Sequence, residues 1–396
     1  MRGKVVEARC AGLVGLLLLL GTAIAAGQVP EGFQSLFNGK DLSGWWSPTG
    51  SLETGGFRVR DGVIEVDGSN RRVPALYTQE TYENFILELD FRISPRGNSG
   101  VFLHAPLSGR QSRVGFELQI LDDHGGKPGI HSTGAIYDVL APRELASKPA
   151  GEWNHYRIEM DWPKLRVWLN GVQVQDVDLS THDVLRFRFR DGYIALQNHG
   201  SDAAFRNIFV KRLPGKIQWR DLLAGPSLEG WQAVGQAQWK RDGDVVRGEG
   251  GKGFLVTNGQ FDRFELQGYV RRTDEPAGAI RYRWVSGEEP GYLVEFQARE
   301  LERQNLLRFR RNQPWWVVPA LFGEWVPFQL ICNEQYAEFR LDGVIVATIH
   351  NHQKVGPGSI ALECLGKGEP IEVKGLRLRE LTEEEVGPIP RRSDGE

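Results

Sequence analysis

The sequence predicts an all-β protein built from two tandem β-sandwiches. Short runs alternate apolar and polar residues with the period of a strand, as in FILELDFRI at residues 85–93. Two-residue turns, Asp61-Gly62 and Asn170-Gly171, separate such runs and predict hairpins. No run of ten residues in the mature chain carries a convincing amphipathic helical stripe with caps. Many short strands at regular spacing are typical of a sandwich.

The first 26 residues are predicted to be a signal peptide. Arg2, Lys4 and Arg9 precede an apolar stretch at residues 11–20, and a small-residue cleavage site follows at 23–25. The apolar stretch is too short to span a bilayer. We therefore expect a secreted or periplasmic protein without a stable membrane span.

The rest of the chain repeats a series of motifs in the same order, which predicts an internal duplication. The recurring pairs are DLSGW at 41–45 with SLEGW at 227–231, GEW at 151–153 with 323–325, LNGV at 169–172 with LDGV at 341–344, and YIAL at 193–196 with SIAL at 359–362. We expect one sandwich at residues 33–213, a second at 217–381, and a tail at 382–396.

Composition argues against binding to nucleic acid. The formal net charge is −3, whereas a nucleic-acid surface needs clustered Lys and Arg and a basic isoelectric point. Two arginine-rich runs, at residues 186–190 and 308–311, alternate with apolar residues. We interpret them as the solvent-exposed faces of strands.

Two cysteines, Cys332 and Cys364, remain after the signal peptide is removed. Both lie in apolar, strand-like runs. An oxidising compartment would allow them to form a disulfide, but a free cysteine is also a common buried hydrophobic residue. The sequence leaves both alternatives open.

Polar side chains interrupt otherwise apolar strands in the first half and predict a polar cleft. Residues two apart in a strand share a face, so the candidate rows are Glu117 with Gln119, Gln197 with His199, and Asn98 with Phe102 and His104. A buried carboxylate costs several kcal/mol unless it is paired or used. The structural alternatives are that Glu117 pairs with Arg206 and that His199 stabilises a turn.

Several separated motifs resemble the 3-keto-disaccharide hydrolase domain family. In order, they are LFNGKDLSGW at 36–45, GNSGVF at 97–102, FELQILD at 116–122, GAIY at 134–137, PAGEWN at 149–154, WLNG at 168–171, ALQNHG at 195–200 and FRNI at 205–208. The resemblance covers essentially all of the first half. In the second half it is fainter, since Glu363 replaces Gln197 and Leu365 replaces His199.

This resemblance implies concanavalin A-like jelly rolls with a sugar on the concave face of the first. It also implies cleavage of 3-keto-glycosides, in which the ketone acidifies the C2 proton and a base removes it. Glu117 and His199 are the expected catalytic residues. The expected substrate-binding residues are Asn98, His104, Gln119, Asp122, His124, Tyr137 and Gln197.

No cofactor is expected, and calcium in the loop at residues 122–131 is a weaker alternative because no dense carboxylate loop is present. The chain lacks a nucleotide-binding fingerprint, so a separate sugar 3-oxidoreductase would have to supply the keto sugar. Two other functions fit the same residues. One is a non-catalytic, lectin-like carbohydrate-binding protein, and the other is a cell-envelope interaction module.

Overall fold

The computed structural model describes most of both predicted sandwiches. The described residues are 29–52, 55–271, 277–284, 292–295, 323–333, 336–350, 356–366, 368–382 and 385. The predicted signal peptide, the run at 308–311 and most of the tail lie outside them. Within the described ranges, no helix is long and apolar enough to cross a membrane.

The first sandwich consists of strands β1 to β13, one short helix, α1 (Gln111–Val114), and a 3₁₀ turn at Leu179–Thr181. Its strands are β1 (Gln34–Ser35), β2 (Trp45–Trp46), β3 (Phe57–Arg60), β4 (Val63–Val66), β5 (Ala75–Tyr82), β6 (Phe85–Ile93), β7 (Asn98–Ala105), β8 (Phe116–Leu121), β9 (Asn154–Asp161), β10 (Lys164–Leu169), β11 (Val172–Asp178), β12 (Gly192–Gln197) and β13 (Ala203–Arg212).

These strands form two antiparallel sheets that enclose a single apolar core. The larger sheet has the order β11-β10-β9-β6-β13-β4-β3, with β1 added beside β13, and the five-stranded sheet has the order β2-β5-β12-β7-β8. Strands β6 and β9 alternate buried and partly exposed residues along their whole length. That alternation is the predicted strand period, and it places one face of each strand in the core.

The predicted hairpin turns are present. Asp61 and Gly62 have φ of 51° and 75°, and Asn170 and Gly171 have φ of 52° and 85°. Two consecutive positive φ angles match the right-handed twist of the flanking strands, and Asn, Asp and Gly adopt them most readily. Each turn joins paired neighbours, β3 to β4 and β10 to β11.

The second sandwich repeats this strand order. Its strands are β14 (Arg220–Asp221), β15 (Trp231–Gly235), β16 (Gln238–Asp242), β17 (Val245–Glu249), β18 (Lys252–Thr257), β19 (Phe264–Arg271), β20 (Gly278–Trp284), β21 (Tyr292–Glu295), β22 (Trp325–Cys332), β23 (Tyr336–Leu341), β24 (Val344–His350), β25 (Ser359–Leu365) and β26 (Ile371–Glu380). The sheets run β16-β17-β26-β19-β22-β23-β24, with β14 beside β26, and β15-β18-β25-β20-β21. The all-β prediction is confirmed.

Both cysteines of the mature chain lie in the core of the second sandwich. Cys332 and Cys364 are buried free thiols, so of the two alternatives the structure has the unpaired one. Burial raises the pKa of the Cys332 thiol to about 11. The thiol is therefore protonated near neutral pH and packs as a small apolar group.

The two sandwiches contact each other through the outer face of the larger sheet of the second. Arg377 donates two hydrogen bonds to Asp191, at 2.6 and 2.8 Å. Arg190 pairs with Glu385 of the tail at 2.6 Å, and Glu385 also pairs with Arg379 of β26 at 2.6 Å. The guanidinium of Arg188 donates within the first sandwich, to the carbonyl oxygen of Gly115. The prediction of a solvent-exposed strand at residues 186–190 is wrong: the segment is a turn, and Arg188 and Arg190 are buried.

Candidate functional site

The predicted polar residues converge on the outer face of the first sandwich's five-stranded sheet, the face turned away from the core. Strand pairing places two rows of side chains across β5, β12, β7 and β8. The rows are Tyr77, Ala195, Phe102 and Glu117, and beside them Ala75, Gln197, Gly100 and Gln119. Glu117, Gln119 and Gln197 therefore lie together, as the sequence predicted.

Glu117 is a buried carboxyl group with a strongly perturbed acidity. Its side chain is 4% exposed. Burial raises the pKa of Glu117 to about 7, although a hydrogen bond from Gln197 and the charge of Arg110 act to lower it. Arg206 pairs with Asp90 at 3.2 Å, so the structural alternative for Glu117 is wrong. A carboxyl group that titrates near neutral pH is suited to general base chemistry.

Gly100 provides the space that the Glu117 carboxyl group occupies. A Cβ atom at Gly100 would lie 2.7 Å from Oε1 of Glu117 and 3.3 Å from Oε1 of Gln197. The carboxyl group and the amide therefore meet over the bare backbone of β7. A larger residue at this position would push both side chains away from each other.

We expect Gly100→Ala to reduce activity more than stability, because the added methyl group displaces the Glu117 carboxyl group. A misplacement of a reacting group by about 1 Å costs on the order of 10²-fold in turnover. The check is kcat on a 3-keto-glucoside together with the free energy of unfolding in denaturant. Wild-type kcat in a variant whose fold is unchanged would contradict this role for Gly100.

Two amide oxygens at the site have unused hydrogen-bonding capacity. Oδ1 of Asn98 and Oε1 of Gln197 are buried and have no hydrogen-bond partner among the described residues. A buried acceptor without a partner costs about 1–3 kcal/mol. In contrast, Oε1 of Gln119 accepts from the backbone N–H of Ile120 at 3.1 Å. Asn98 and Gln197 are thus the amides free to accept from ligand hydroxyls.

An aromatic cluster borders the polar row on the side of β2 and β5. The ring centroids of Trp46 and Tyr193 lie 5.8 Å apart, and those of Tyr77 and Tyr193 lie 5.9 Å apart, both edge to face. Phe102 packs in the same group. Apolar rings next to a few convergent polar groups are the usual composition of a small-molecule site.

The loop after β8 folds back along that strand and brings Tyr137 to the site. The backbone N–H of Tyr137 donates to the carbonyl oxygen of Glu117 at 2.9 Å. The rings of Tyr137 and His131 lie 4.9 Å apart. Burial raises the pKa of Tyr137, and the negative charges of Asp138 and Glu117 add to the shift. Tyr137 therefore lies at the edge of the site, next to Glu117.

The other predicted residues of this loop serve to anchor it. Asp122 accepts from the backbone N–H of Arg96 at 2.7 Å, and Nδ1 of His124 lies 2.6 Å from the carbonyl oxygen of Ser147. Their side chains are thus used in holding loops together rather than in lining the rows. Among the described residues, no group of three or more His, Cys, Asp or Glu side chains could hold a metal ion.

His104 lies in the core, and the prediction that it shares a row with Asn98 and Phe102 is wrong. Its side chain is 2% exposed. Its ring nitrogens lie 2.9 Å and 2.8 Å from the carbonyl oxygens of Phe189 and Glu83. The backbone of His104 has a φ of 52°, and the pairing of β7 with β12 shifts register nearby. This irregularity turns the side chain to the opposite face.

His199 lies two residues beyond the end of β12, on the exposed side of a turn. Partial burial lowers the pKa of His199, and the nearby positive charge of Arg71 lowers it further. The imidazole is therefore mostly neutral at neutral pH. Its position is at the rim, beyond the row that contains Gln197.

Arg110 is a residue near the site that the sequence does not predict. This residue precedes α1, in the loop between β7 and β8, and its positive charge acts on both Glu117 and Tyr137. A lone arginine in a loop gives no periodic signal. Its relation to Glu117 depends on the path of the loop, which the local sequence does not specify.

A search against protein-family models matches both halves of the chain. The model described as a 3-keto-alpha-glucoside-1,2-lyase-like domain matches residues 32–211 and again residues 218–379. The chain belongs to this family. Both matched regions coincide with a pair of packed sheets, so this 3-keto-alpha-glucoside-1,2-lyase-like chain carries the family domain twice.

Similar proteins match about half of this family member. A "3-keto-disaccharide hydrolase" of Bacteroides thetaiotaomicron is 26% identical over 229 residues, which are 46% of this chain and 79% of the relative. Two crystal structures of candidate glycosyl hydrolases from Parabacteroides distasonis are 28% and 29% identical, with TM-scores of 0.41 and 0.40. Each covers 46% of this chain, and the matches span 95% and 99% of those chains.

The second family domain has a different set of residues on the corresponding sheet face. Glu363, on the strand equivalent to β12, is 1% exposed and pairs with Arg281 at 2.6 Å. Lys252 lies 3.7 Å from the same carboxylate. The Glu363 carboxylate is thus occupied by ion pairs with basic side chains of its own domain, whereas Glu117 has no such ion pair among the described residues. The two domains of this family member are therefore not equivalent in chemistry.

Proposed function

We propose that the chain cleaves 3-keto-glycosides, including 3-keto-disaccharides, on the outer face of the five-stranded sheet of the first domain. The observation that carries this proposal is the Glu117 carboxyl group, buried beside unpaired amide oxygens and with a pKa near neutrality. Membership of the family and the name of the Bacteroides relative support the substrate class.

In the proposed reaction, Glu117 acts as the general base. A ketone at C3 acidifies the proton on C2, and the Glu117 carboxylate takes that proton. The electron pair left on C2 is delocalised onto the C3 oxygen as an enolate. We assign stabilisation of that oxygen to Arg110, because among the positive charges that act on Glu117 its effect is the larger.

Breakage of the glycosidic bond completes the elimination. The enolate electrons form a double bond between C1 and C2, and the C1 oxygen leaves as an alcohol after it takes a proton. We assign to His199, at the rim, the transfer of that proton from water to the leaving oxygen. Water then adds to C1 and a proton returns to C2, so the net reaction is hydrolysis.

Sugar binding in this proposal uses the remaining groups of the face. Asn98 and Gln197 accept hydrogen bonds from hydroxyl groups through their unpaired oxygens. Trp46 and Tyr193 offer ring surface to the sugar, and Tyr137 closes the side next to β8. We propose further that residues 1–26 direct export and that a separate sugar 3-oxidoreductase supplies the keto sugar.

The direct test is to incubate the purified protein with an aryl 3-keto-glucoside and follow release of the phenol. We expect turnover of the keto sugar and none of the parent glucoside, which lacks the acidified C2 proton. In His199→Ala, loss of a proton relay lowers kcat on the order of 10²-fold. Binding of the keto sugar without release of phenol would favour a lectin-like function and contradict the proposal.

A further inference from the structure

The second domain contacts the first at the loop between β7 and β8, which leads into the strand of Glu117. The backbone N–H of Leu107 donates to the hydroxyl oxygen of Tyr269 at 3.1 Å. The backbone N–H of Arg110 donates to Oδ1 of Asp342 at 2.5 Å. Both acceptors belong to the second domain, and both bonds hold the loop that carries Arg110.

The loop and a hairpin turn of the second domain approach each other very closely. A Cβ atom at Gly109 would lie 2.2 Å from Oδ1 of Asp342. A Cβ atom at Gly343 would lie 2.8 Å from the carbonyl oxygen of Arg113. Glycine on both sides of the contact lets the two backbones interlock.

Asp342 occupies the position that Asn170 has in the first domain, in the repeated LNGV and LDGV hairpins. Both residues have positive φ, 52° at Asn170 and 48° at Asp342. Asn170 uses its side chain within its own domain, where Oδ1 accepts from the N–H of His155 and Nδ2 donates to Ala146. Asp342 instead accepts from Arg110 of the other domain.

The contact between Asp342 and Arg110 is buried. The Asp342 side chain is 3% exposed. Burial raises the pKa of Asp342 to about 6, and the hydrogen bond from Arg110 and the charges of Arg113 and Arg110 oppose that shift. A buried carboxylate that lost this bond would be left without its main partner, which is costly. The loop is thereby fixed to the second domain.

We propose that the second domain positions the base of the first, with Asp342 and Tyr269 as positioning residues that hold the loop and therefore Arg110 beside Glu117. This inference rests on the proposed function for its catalytic consequence. The charged groups that act on Glu117 are Arg110 and Arg188, which lower its pKa, and Asp138, which raises it. Moving Arg110 away raises the pKa of Glu117.

The test compares Asp342→Ala with Asp342→Asn, because the asparagine keeps the carbonyl oxygen that accepts from Arg110. In Asp342→Ala we expect kcat to fall roughly tenfold or more through loss of positioning. The rise of kcat/KM with pH should also move to higher pH. Asp342→Asn should restore both toward wild type. Glu385→Gln, which weakens the same domain contact away from the loop, should leave the pH profile in place.

A second measurement does not require turnover. Above pH 7, the gain in unfolding free energy caused by Glu117→Gln should be larger in the Asp342→Ala background than in wild type, because Glu117 is then harder to ionise. An equal gain in both backgrounds, with an unmoved pH profile, would overturn the inference. If wild type fails to cleave keto sugars, the proposed function fails, and this stability cycle still decides the inference.

Discussion

Glu117→Gln is expected to lower kcat on 3-keto-glucosides by roughly 10²- to 10⁴-fold, the usual contribution of a general base. Glutamine keeps an oxygen in place of Oε1 and can still meet the Gln197 amide, so the fold is retained. In wild type, kcat/KM should rise with pH through an apparent pKa of about 7, because burial raises the pKa of Glu117 to that value. The variant should lack this rise.

The matched control is Glu159→Gln, which changes a glutamate on the larger sheet of the same domain. Glu159 pairs with Arg166 at 2.6 Å and lies outside the candidate site. Its variant should keep wild-type kcat and the wild-type pH profile. Retention of activity in Glu117→Gln, measured by phenol release under saturating substrate, would remove Glu117 from the mechanism.

The same variant is expected to be more stable than wild type at high pH. The folded-state pKa of Glu117 is about 7, raised by burial from its ordinary value of 4.5. Both states are protonated below the unfolded value, so its contribution to stability is fully present there. It is lost as the pH rises through 7, by about 3 kcal/mol in total.

Chemical denaturation of wild type and Glu117→Gln from pH 4 to pH 8 measures this effect. The difference in unfolding free energy should be small at the acid end, grow between the two pKa values and level off above pH 7. Other titrating groups are common to both proteins and cancel in the difference. A difference that does not change with pH would show that the carboxyl group is well solvated in the folded protein.

Much of the fold follows from local sequence. The alternation in β6, the Asp61-Gly62 and Asn170-Gly171 turns and the repeated motifs all correspond to observed elements. They do so because strand period and turn conformation depend on neighbouring residues. The sequence also predicts the grouping of Glu117 with Gln197, since both interrupt apolar strands on one face.

The features that the sequence does not predict correctly depend on residues that are distant along the chain. His104 lies on the face opposite to the predicted one, because the period of two assumes a regular strand and its positive φ breaks the alternation. The sequence predicts Arg188 and Arg190 in solvent, but both are buried, and Arg190 pairs with Glu385, which is distant in the sequence. The backbone of Arg110 is bonded to Asp342, which lies more than two hundred residues away in the sequence. None of these causes is visible in a window of neighbouring residues.

The unpaired oxygens of Asn98 and Gln197 bear on discrimination between sugars. Each can only accept, so each is satisfied by a hydroxyl group and left unsatisfied by a hydrogen or a methyl ether at the same carbon. Leaving one such acceptor buried and unpaired costs about 1–3 kcal/mol, which corresponds to a preference of roughly 5- to 150-fold. Deoxygenated or O-methylated sugars would thus bind more weakly because they lack a hydroxyl donor. This discrimination needs no steric barrier in the protein.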